Sequence, residues 1–435
     1  MTKHRLIFLF GCGFYLLAIQ LVYIITIVPD WGYTGMVFAD PPLWICLVVN
    51  FAAIVPAFRI RVVLVRPSQW LVLYLYLAVY VPACIVPLFR NTALGIEPRS
   101  VLPLVATLLI CMLILVQASR YARLALPRIV IRRDWFWIGV VCVLTVAFGT
   151  LCVKYGSSMR MVSPNNVAEQ RLASRETLDA FSSSGRLIGY TISYFSYVAN
   201  PLLVAVGIWY RKPVVVGLGI MGQLVSYSIN AARGPIVAVL VVLCLYYSVR
   251  QKRFSFGNFW AFGFGLIALL GIAVHFSSSP SVENLISWMI MRTFITPGYL
   301  TGIYHEFFST NPQTYFSHVS GLGWLGHNQY ESAPLGFIIG DYLGFPGNNA
   351  NANLWADGFA SLGYIGMVIV TVFAAGVFYL LDCVAMRMKV GFATLIIGAH
   401  ALSLADTPFF TEFLGGGLAM SILIIYLYPD PPPPG

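Results

Sequence analysis

Twelve apolar runs recur along the chain, and they limit its possible folds more than any other feature. Inside a bilayer every backbone N–H and C=O needs a partner within the protein, and a helix supplies one. A run of about 20 apolar residues is long enough to span the hydrocarbon core as a helix. The runs cover residues 6–28, 43–58, 70–89, 101–118, 135–153, 188–209, 213–229, 235–249, 258–277, 360–382, 391–404 and 414–428. We therefore predict an all-α polytopic membrane protein with about 12 transmembrane helices in a single domain, 1–435.

The distribution of charge predicts the topology. With the N-terminus inside, 17 of the 26 Lys and Arg residues lie on the inner side, whereas 13 of the 16 Asp and Glu residues lie outside. This bias follows the positive-inside rule and places both termini in the cytoplasm. The net charge of +10 is then explained by lipid anchoring, so we expect membrane lipid and not nucleic acid as a partner.

Cofactor motifs are missing from the sequence. All eight cysteines lie in or beside apolar runs, and no Cys/His group has the spacing of a zinc site. The sequence also has no Walker motif and no G-x-G-x-x-G after a strand. We therefore expect neither a metal nor a nucleotide cofactor.

Two enlarged loops, 154–187 and 278–359, lie on the predicted outer side. Loops of this length are usually functional or disordered. The second is rich in aromatic residues, among them Tyr330, which favour the lipid–water interface. We expect both loops to contain short amphipathic helices. The second loop either forms one wall of a site for an amphiphilic substrate or only caps the bundle.

Arg233 stands at the outer end of two central runs, in Asn230-Ala-Ala-Arg-Gly-Pro235. Pro235 fits the first turn of the next helix, which would point its positive end outward beside a cation. A bound anion would relieve that conflict, and arginine offers a bidentate fork for phosphate. We predict an anion or pyrophosphate site here; the alternative is an arginine that reaches out to water.

Three further arginines in the outer loops extend this prediction. Arg292 interrupts an apolar stretch, and it either binds phosphate or pairs with Glu283 or Glu306. Arg171 and Arg175 would share one face of a helix that begins near 166, where a bound anion would relieve their repulsion. The alternative for that helix is an exposed face on which Arg175 pairs with Asp179.

An Asn- and Gly-rich passage, 347–366, leads from the second loop into a helix. Asn353 there can both donate to and accept from sugar hydroxyls. Asp357 is either a residue favoured by the helix start or a base. His327, one of three histidines in the same loop, is a second candidate for the base.

Three features resemble the O-antigen polymerase (Wzy-type) family of bacterial polysaccharide polymerases. They are the Ala232-Arg-Gly234 break, the arginine early in the large outer loop at Arg292, and the passage from Asn353 to Gly366. The resemblance implies transfer of a growing glycan from undecaprenyl pyrophosphate to another lipid-linked repeat unit, on the periplasmic side of the inner membrane. It implies no cofactor, and it suggests a polysaccharide chain-length regulator as a partner.

On this interpretation Arg233 and Arg292 hold pyrophosphates, assisted by Arg171 and Arg175, while Asp357 or His327 deprotonates the acceptor. Asn353 and Tyr330 would contact the sugar. The alternatives are an O-antigen ligase acting on lipid A core and a flippase or transporter for the lipid-linked sugar. Ligases tend to have His-Asn where this chain has Ala352-Asn353, although His327-Asn328 lies upstream.

Overall fold

The computed structural model describes residues 3–127, 129–156, 159–160, 170, 174, 185–251, 253–276, 280–319, 323–325, 329–330, 334–351 and 353–429. Within these ranges the regular structure is entirely helical and contains no strand. The helical segments are α1 (Lys3–Thr34), α2 (Leu43–Phe58), α3 (Ser68–Ala93), α4 (Pro98–Ala118), α5 (Arg133–Tyr155), α6 (Ile188–Trp209), α7 (Pro213–Asn230), α8 (Arg233–Arg250), α9 (Phe256–His275), α10 (Pro280–Ile290), α11 (Thr296–Thr310), α12 (Leu335–Tyr342), α13 (Leu354–Arg387), α14 (Val390–Ile397), α15 (His400–Asp406) and α16 (Phe409–Leu427).

Ten of these segments in the described part of the chain are long and apolar enough to cross a membrane. They are α1, α3 to α9, α13 and α16, so the chain is a multi-pass membrane protein with about ten candidate spans. The sequence predicted twelve. The two runs that differ are 43–58 and 391–404.

Proline and glycine account for both differences. Run 43–58 forms α2, which begins after Pro42 and tightens into a 3₁₀ turn that contains Pro56, so its helix is short. Run 391–404 is divided into α14 and α15 around Gly398. A Cβ at Gly398 would lie 2.5 Å from Leu245 Cδ1 of α8. The break therefore lies where the chain packs closely against α8.

Helix α3 forms the centre of the bundle, because its most apolar 18-residue window is 100% buried inside the protein. Around it α1 packs on α9, α4 on α13, and α6 on α7. Helix α5 lies at the periphery, because only 11% of its most apolar 18-residue stretch is buried. This is expected for a helix that faces lipid. The core therefore surrounds α3, and the sites described below lie at the predicted outer ends of the helices.

The second enlarged loop is inserted into the bundle over part of its length. Helix α10 continues through a π-helical turn, Met291–Ile295, into α11. Residues such as Tyr299 and Tyr304 are buried, because α11 packs against α3 and α13. The aromatic residues of this stretch thus fill protein interior, whereas the sequence suggested a position at the lipid surface.

Helix α13 begins before the predicted run 360–382 and contains a kink. Leu362 and Gly363 depart from helical geometry, and Gly363 has φ of +60°. A Cβ there would also lie 2.8 Å from Gln313 Nε2, so glycine suits the position for two reasons. The kink separates the first turns of α13, which contain Asp357, from the long apolar part of the helix.

Candidate functional site

Arg233 lies at the first position of α8, two residues before the predicted run 235–249. Ala231 adopts a left-handed conformation (φ +50°) that ends α7, and the Asn230 Oδ1 atom accepts a hydrogen bond from the Ala232 N–H at 2.9 Å. Helix α8 then starts with Pro235 in its first turn. The chain reverses direction within a few residues and leaves Arg233 at the positive end of the helix dipole.

Arg292 lies beside Arg233, although 58 residues stand between them in sequence. The Arg233 guanidinium donates a hydrogen bond from Nη2 to the Arg292 carbonyl oxygen at 3.2 Å. It also lies over the Trp288 ring at 5.2 Å from the centroid. Arg292 occupies the π-helical turn between α10 and α11, a rare geometry that is frequent at functional sites. The structure thus joins the two arginines that the sequence singled out separately.

Glu283 and Glu306, the alternative partners that the sequence predicted for Arg292, contact other residues. Glu306 pairs with Arg90 and accepts a hydrogen bond from the Tyr342 hydroxyl at 2.6 Å, and this bond raises the pKa of Tyr342 to about 12. Glu283 faces His275. Within the described residues neither carboxylate forms an ion pair with Arg292.

Asp406, at the end of α15, interacts electrostatically with both Arg233 and Arg292. Asp406 is exposed, so its carboxylate is accessible from outside the bundle. Tyr74 of α3 and Tyr197 of α6 interact electrostatically with both Arg233 and Asp406. We call Arg233, Arg292, Asp406 and these two tyrosines the arginine cluster.

Among the described residues, the arginine cluster contains two guanidinium groups and one carboxylate. The dipole of α8 adds partial positive charge beside Arg233. Glu412, the next described carboxylate with an electrostatic effect on Asp406, is already bonded to His400. Two arginines beside the start of a helix are suited to a phosphate or pyrophosphate group.

A buried polar network holds the turn that carries Asp406. Glu412 accepts from His400 Nδ1 at 2.6 Å and from the Ser403 hydroxyl, and His400 Nε2 lies 2.8 Å from Ser421 Oγ. His400, Glu412 and Ser421 are fully buried. A network with every member bonded rigidifies its surroundings, and here it fixes the connection from α15 to α16.

A second polar cluster surrounds Asp357. Its Oδ1 atom lies 2.9 Å from His318 Nε2, and His318 Nδ1 lies 2.8 Å from Thr314 Oγ1. Asp357 is 1% exposed, and its Oδ2 atom has no hydrogen-bond partner among the described residues. We call Asp357 and His318 the dyad. Sequence reasoning listed His318 among the loop histidines but did not select it.

The dyad is separate from the arginine cluster. Tyr304, an electrostatic neighbour of Asp357, lies 12 residues after Arg292 on the same helical stretch. At about 1.5 Å of rise per residue this corresponds to ~18 Å along the axis. The structure therefore does not bring Asp357 to the two arginines.

The other candidate residues divide into structural contacts and residues outside the described part of the chain. Asn353 caps α13 and also donates to Pro297 O and Thr301 Oγ1, so its amide holds α13 against α11. The Tyr330 hydroxyl donates to Pro312 O at 2.7 Å. The candidates outside the described residues are Arg171, Arg175 and His327.

One further group could hold a metal: Asp30, His275 and Glu283 place one ligand atom each within 4.8 Å of one another. His275 and Glu283 are close in sequence, but Asp30 lies far from both, so spacing motifs could not reveal the group.

The chain matches no protein-family model, no curated protein and no solved structure.

Proposed function

We propose that the chain is a membrane-embedded glycosyltransferase that polymerises oligosaccharide repeat units linked to undecaprenyl pyrophosphate. The product would be O antigen or a similar surface polysaccharide, made on the periplasmic side of the bacterial inner membrane. The convergence of Arg233 and Arg292 beside Asp406 is the observation that carries this proposal. Two guanidinium groups, which suit phosphate by charge and geometry, and one carboxylate at the start of α8 support the proposal.

The sequence suggested that Arg233 and Arg292 hold pyrophosphates, and their contact favours one shared pyrophosphate. Arg233 and Arg292 would hold the single pyrophosphate of the donor together, because the Arg233 side chain contacts the Arg292 backbone and the two guanidinium groups interact electrostatically. Trp288, stacked under Arg233, limits the directions in which that guanidinium can point. Preorganised cations at a leaving group are among the strongest catalytic devices available to a protein.

The reaction follows from this placement. The acceptor hydroxyl oxygen attacks the anomeric carbon of the donor sugar, and the bond from that carbon to the pyrophosphate oxygen breaks. The electron pair moves to the pyrophosphate, where the arginines stabilise the new charge. The proton of the hydroxyl passes to Asp406, the general base we propose for this site. The sugar–pyrophosphate bond supplies the energy, so the transfer needs no nucleotide, and the two arginines would supply the positive charge at the leaving group.

The other candidate residues keep supporting roles within this proposal. Arg171 and Arg175 would assist with charge in the first loop, and Tyr330 with the sugar. Asn353 would act only by holding the first turn of α13, because its side chain is fully buried and bonded within the protein. Asp357 and His327 stay predictions as alternative bases. Cytoplasmic termini and a chain-length regulator as partner belong to the same proposal.

An O-antigen ligase is the second candidate function, and the dyad favours it. The imidazole of His318 contacts Asp357 at 2.9 Å and so brings a histidine onto the passage that begins at Asn353. Ligases resemble this chain in that passage but have a histidine there. A ligase would use lipid A core as its acceptor.

The test is reconstitution of the purified full-length chain with one synthetic undecaprenyl-pyrophosphate repeat unit, followed by gel analysis of the glycan. A ladder formed without core lipid is the expected result. Product that forms only after core lipid is added would identify a ligase. Transbilayer movement of labelled lipid in liposomes, with no new glycosidic bond, would replace both proposals with a transporter.

A further inference from the structure

A cluster of three ligand-type side chains lies at the predicted outer ends of α1 and α9, away from the residues used above. His275 Nδ1 is 3.1 Å from Glu283 Oε1 and 3.6 Å from Asp30 Oδ1. Each of the three side chains is about a fifth to a quarter exposed, at 23%, 24% and 19% for His275, Glu283 and Asp30. The group therefore faces both protein and solvent, and an ion could reach it.

We propose that Asp30, His275 and Glu283 bind a divalent transition-metal cation, with Zn²⁺ as the best fit. Oxygen and nitrogen ligands bind zinc at about 2.0–2.2 Å. With ligands about 2.1 Å from the ion, separations of 3.1 and 3.6 Å give ligand–metal–ligand angles of about 95° and 118°. Both angles are normal in four- or five-coordinate sites. The imidazole nitrogen disfavours Mg²⁺ and Ca²⁺, which prefer oxygen ligands.

The orientation of His275 supports a cation between the three groups. Its Nδ1 atom is buried and makes no hydrogen bond of acceptable geometry with the described residues, although two carboxylates lie within 4 Å of it. A protonated imidazole held by those carboxylates would be expected to aim its N–H at one of them. A ring nitrogen that faces both oxygens without bonding to either is the arrangement of a metal ligand.

The surroundings of Asp30 provide a second, independent argument. Its Oδ2 atom accepts a hydrogen bond from Ser287 Oγ at 2.7 Å, and that serine accepts one from Trp31 Nε1 at 2.8 Å. Such bonds fix the carboxylate and leave Oδ1 directed at the cluster. Ligating side chains in metal sites are commonly oriented by outer hydrogen bonds of this kind.

The position of the site gives the cation a role. Glu283 and Ser287 belong to α10, the helix that continues into the π-helical turn with Arg292. A cation would fasten the start of α10 to the ends of α1 and α9. It would thereby fix the helix from which Trp288 and Arg292 reach the arginine cluster. This inference goes beyond the proposed reaction, which has no metal-dependent step.

The experiment is zinc binding by the full-length chain in detergent after treatment with a chelator. We expect one Zn²⁺ per chain by equilibrium dialysis and elemental analysis, with an X-ray absorption spectrum that shows nitrogen and oxygen but no sulfur ligands. The double variant Asp30→Asn/Glu283→Gln should lose this binding. Ser287→Ala, which removes only the outer bond, should weaken it by about 10–100-fold. Asp40→Asn, an exposed aspartate nearby in sequence, is the matched control and should bind as the wild type does.

A second readout keeps the test decisive if a variant folds poorly. Zn²⁺ should raise the thermal unfolding temperature of the wild type and of Asp40→Asn but not that of the double variant. Absence of stoichiometric zinc in the wild type would overturn the proposal, as would equal binding by the double variant. The three side chains would then be a simple ion-paired group. Neither result bears on the glycan ladder, so the two proposals fail separately.

Discussion

Replacement of Arg233 or Arg292 by alanine is the sharpest test of the arginine cluster. Removal of one preorganised donor from a developing oxyanion typically lowers kcat by about 10²–10³-fold, or roughly 2.7–4 kcal/mol. We expect each single variant to lose chain extension by this factor. Because both side chains would hold one pyrophosphate, their effects should not add. Additivity predicts a loss of about 10⁴–10⁶-fold for the double variant, whereas we expect less than about 10⁴-fold.

The same variants should stay folded. Among the described residues, the Arg233 side chain would lose a hydrogen bond to a carbonyl and a contact with an aromatic ring. These interactions are worth about 1.5–3 and 0.5–2 kcal/mol at most. Relief of the repulsion between Arg233 and Arg292, which burial strengthens, offsets part of this loss. The unfolding temperature should therefore change by only a few degrees.

The assay measures ladder formation per folded protein, with Arg99→Ala as the control. Arg99 is an exposed arginine on the predicted outer side, 67% accessible and remote from the cluster in sequence. Inorganic pyrophosphate should raise the unfolding temperature of the wild type and of Arg99→Ala but not of the double variant. Normal polymer length and rate from Arg233→Ala would refute the assignment, as would additive losses in the double variant.

Three further variants separate the roles of the other polar groups. Asp406→Asn should lower kcat by about 10²–10⁴-fold, as loss of a general base does, with KM little changed; a selective rise in KM would instead make Asp406 a binding residue. His318→Ala should destabilise the protein by about 1–3 kcal/mol, because it leaves the buried Asp357 without that partner, while the ladder rate per folded protein falls less than tenfold. A hundredfold lower ladder rate from His318→Ala would indicate that the dyad, and not Asp406, supplies the general base. Glu412→Ala should lower the free energy of unfolding by about 3–5 kcal/mol, because it leaves the buried His400 without its carboxylate partner. The change is measured as a lower unfolding temperature, and the exposed control Glu97→Ala should unfold as the wild type does.

The sequence predicted the features that depend on local composition and charge. Long apolar runs identified most of the spans, because lipid imposes the same requirement on every one of them. The break at Asn230–Pro235 was visible because proline fits the first turn of a helix and arginine is rare in an apolar setting. The start of α8 at Arg233 follows directly from these local rules.

The sequence did not predict the features that depend on tertiary packing. The neighbours of Arg233 come from α3, α6, α10 and α15, and no spacing rule relates them. Asp406 escaped notice because it follows run 391–404, which looked like one span and is two short helices. The sequence feature that could have indicated Asp406 is a carboxylate just beyond an apolar run, with His400 and Glu412 close by. The contact between His318 and Asp357 likewise joins residues 39 positions apart.

The surroundings of the arginine cluster favour a lipid-linked anion over a small soluble one. Two guanidinium groups and the dipole of α8 attract any phosphate. A free anion would give up part of its hydration to bind beside Trp288, Tyr74 and Tyr197, which lie near these charged groups. A pyrophosphate attached to a polyprenyl chain gives up the same hydration, but the chain already holds it at the membrane surface and so raises its effective concentration at the outer helix ends. In the proposed reaction, the arginines would stabilise the leaving charge and Asp406 would take the proton. We therefore expect undecaprenyl pyrophosphate to compete for the site at lower concentration than inorganic pyrophosphate, and equal competition would show that the lipid contributes nothing to recognition.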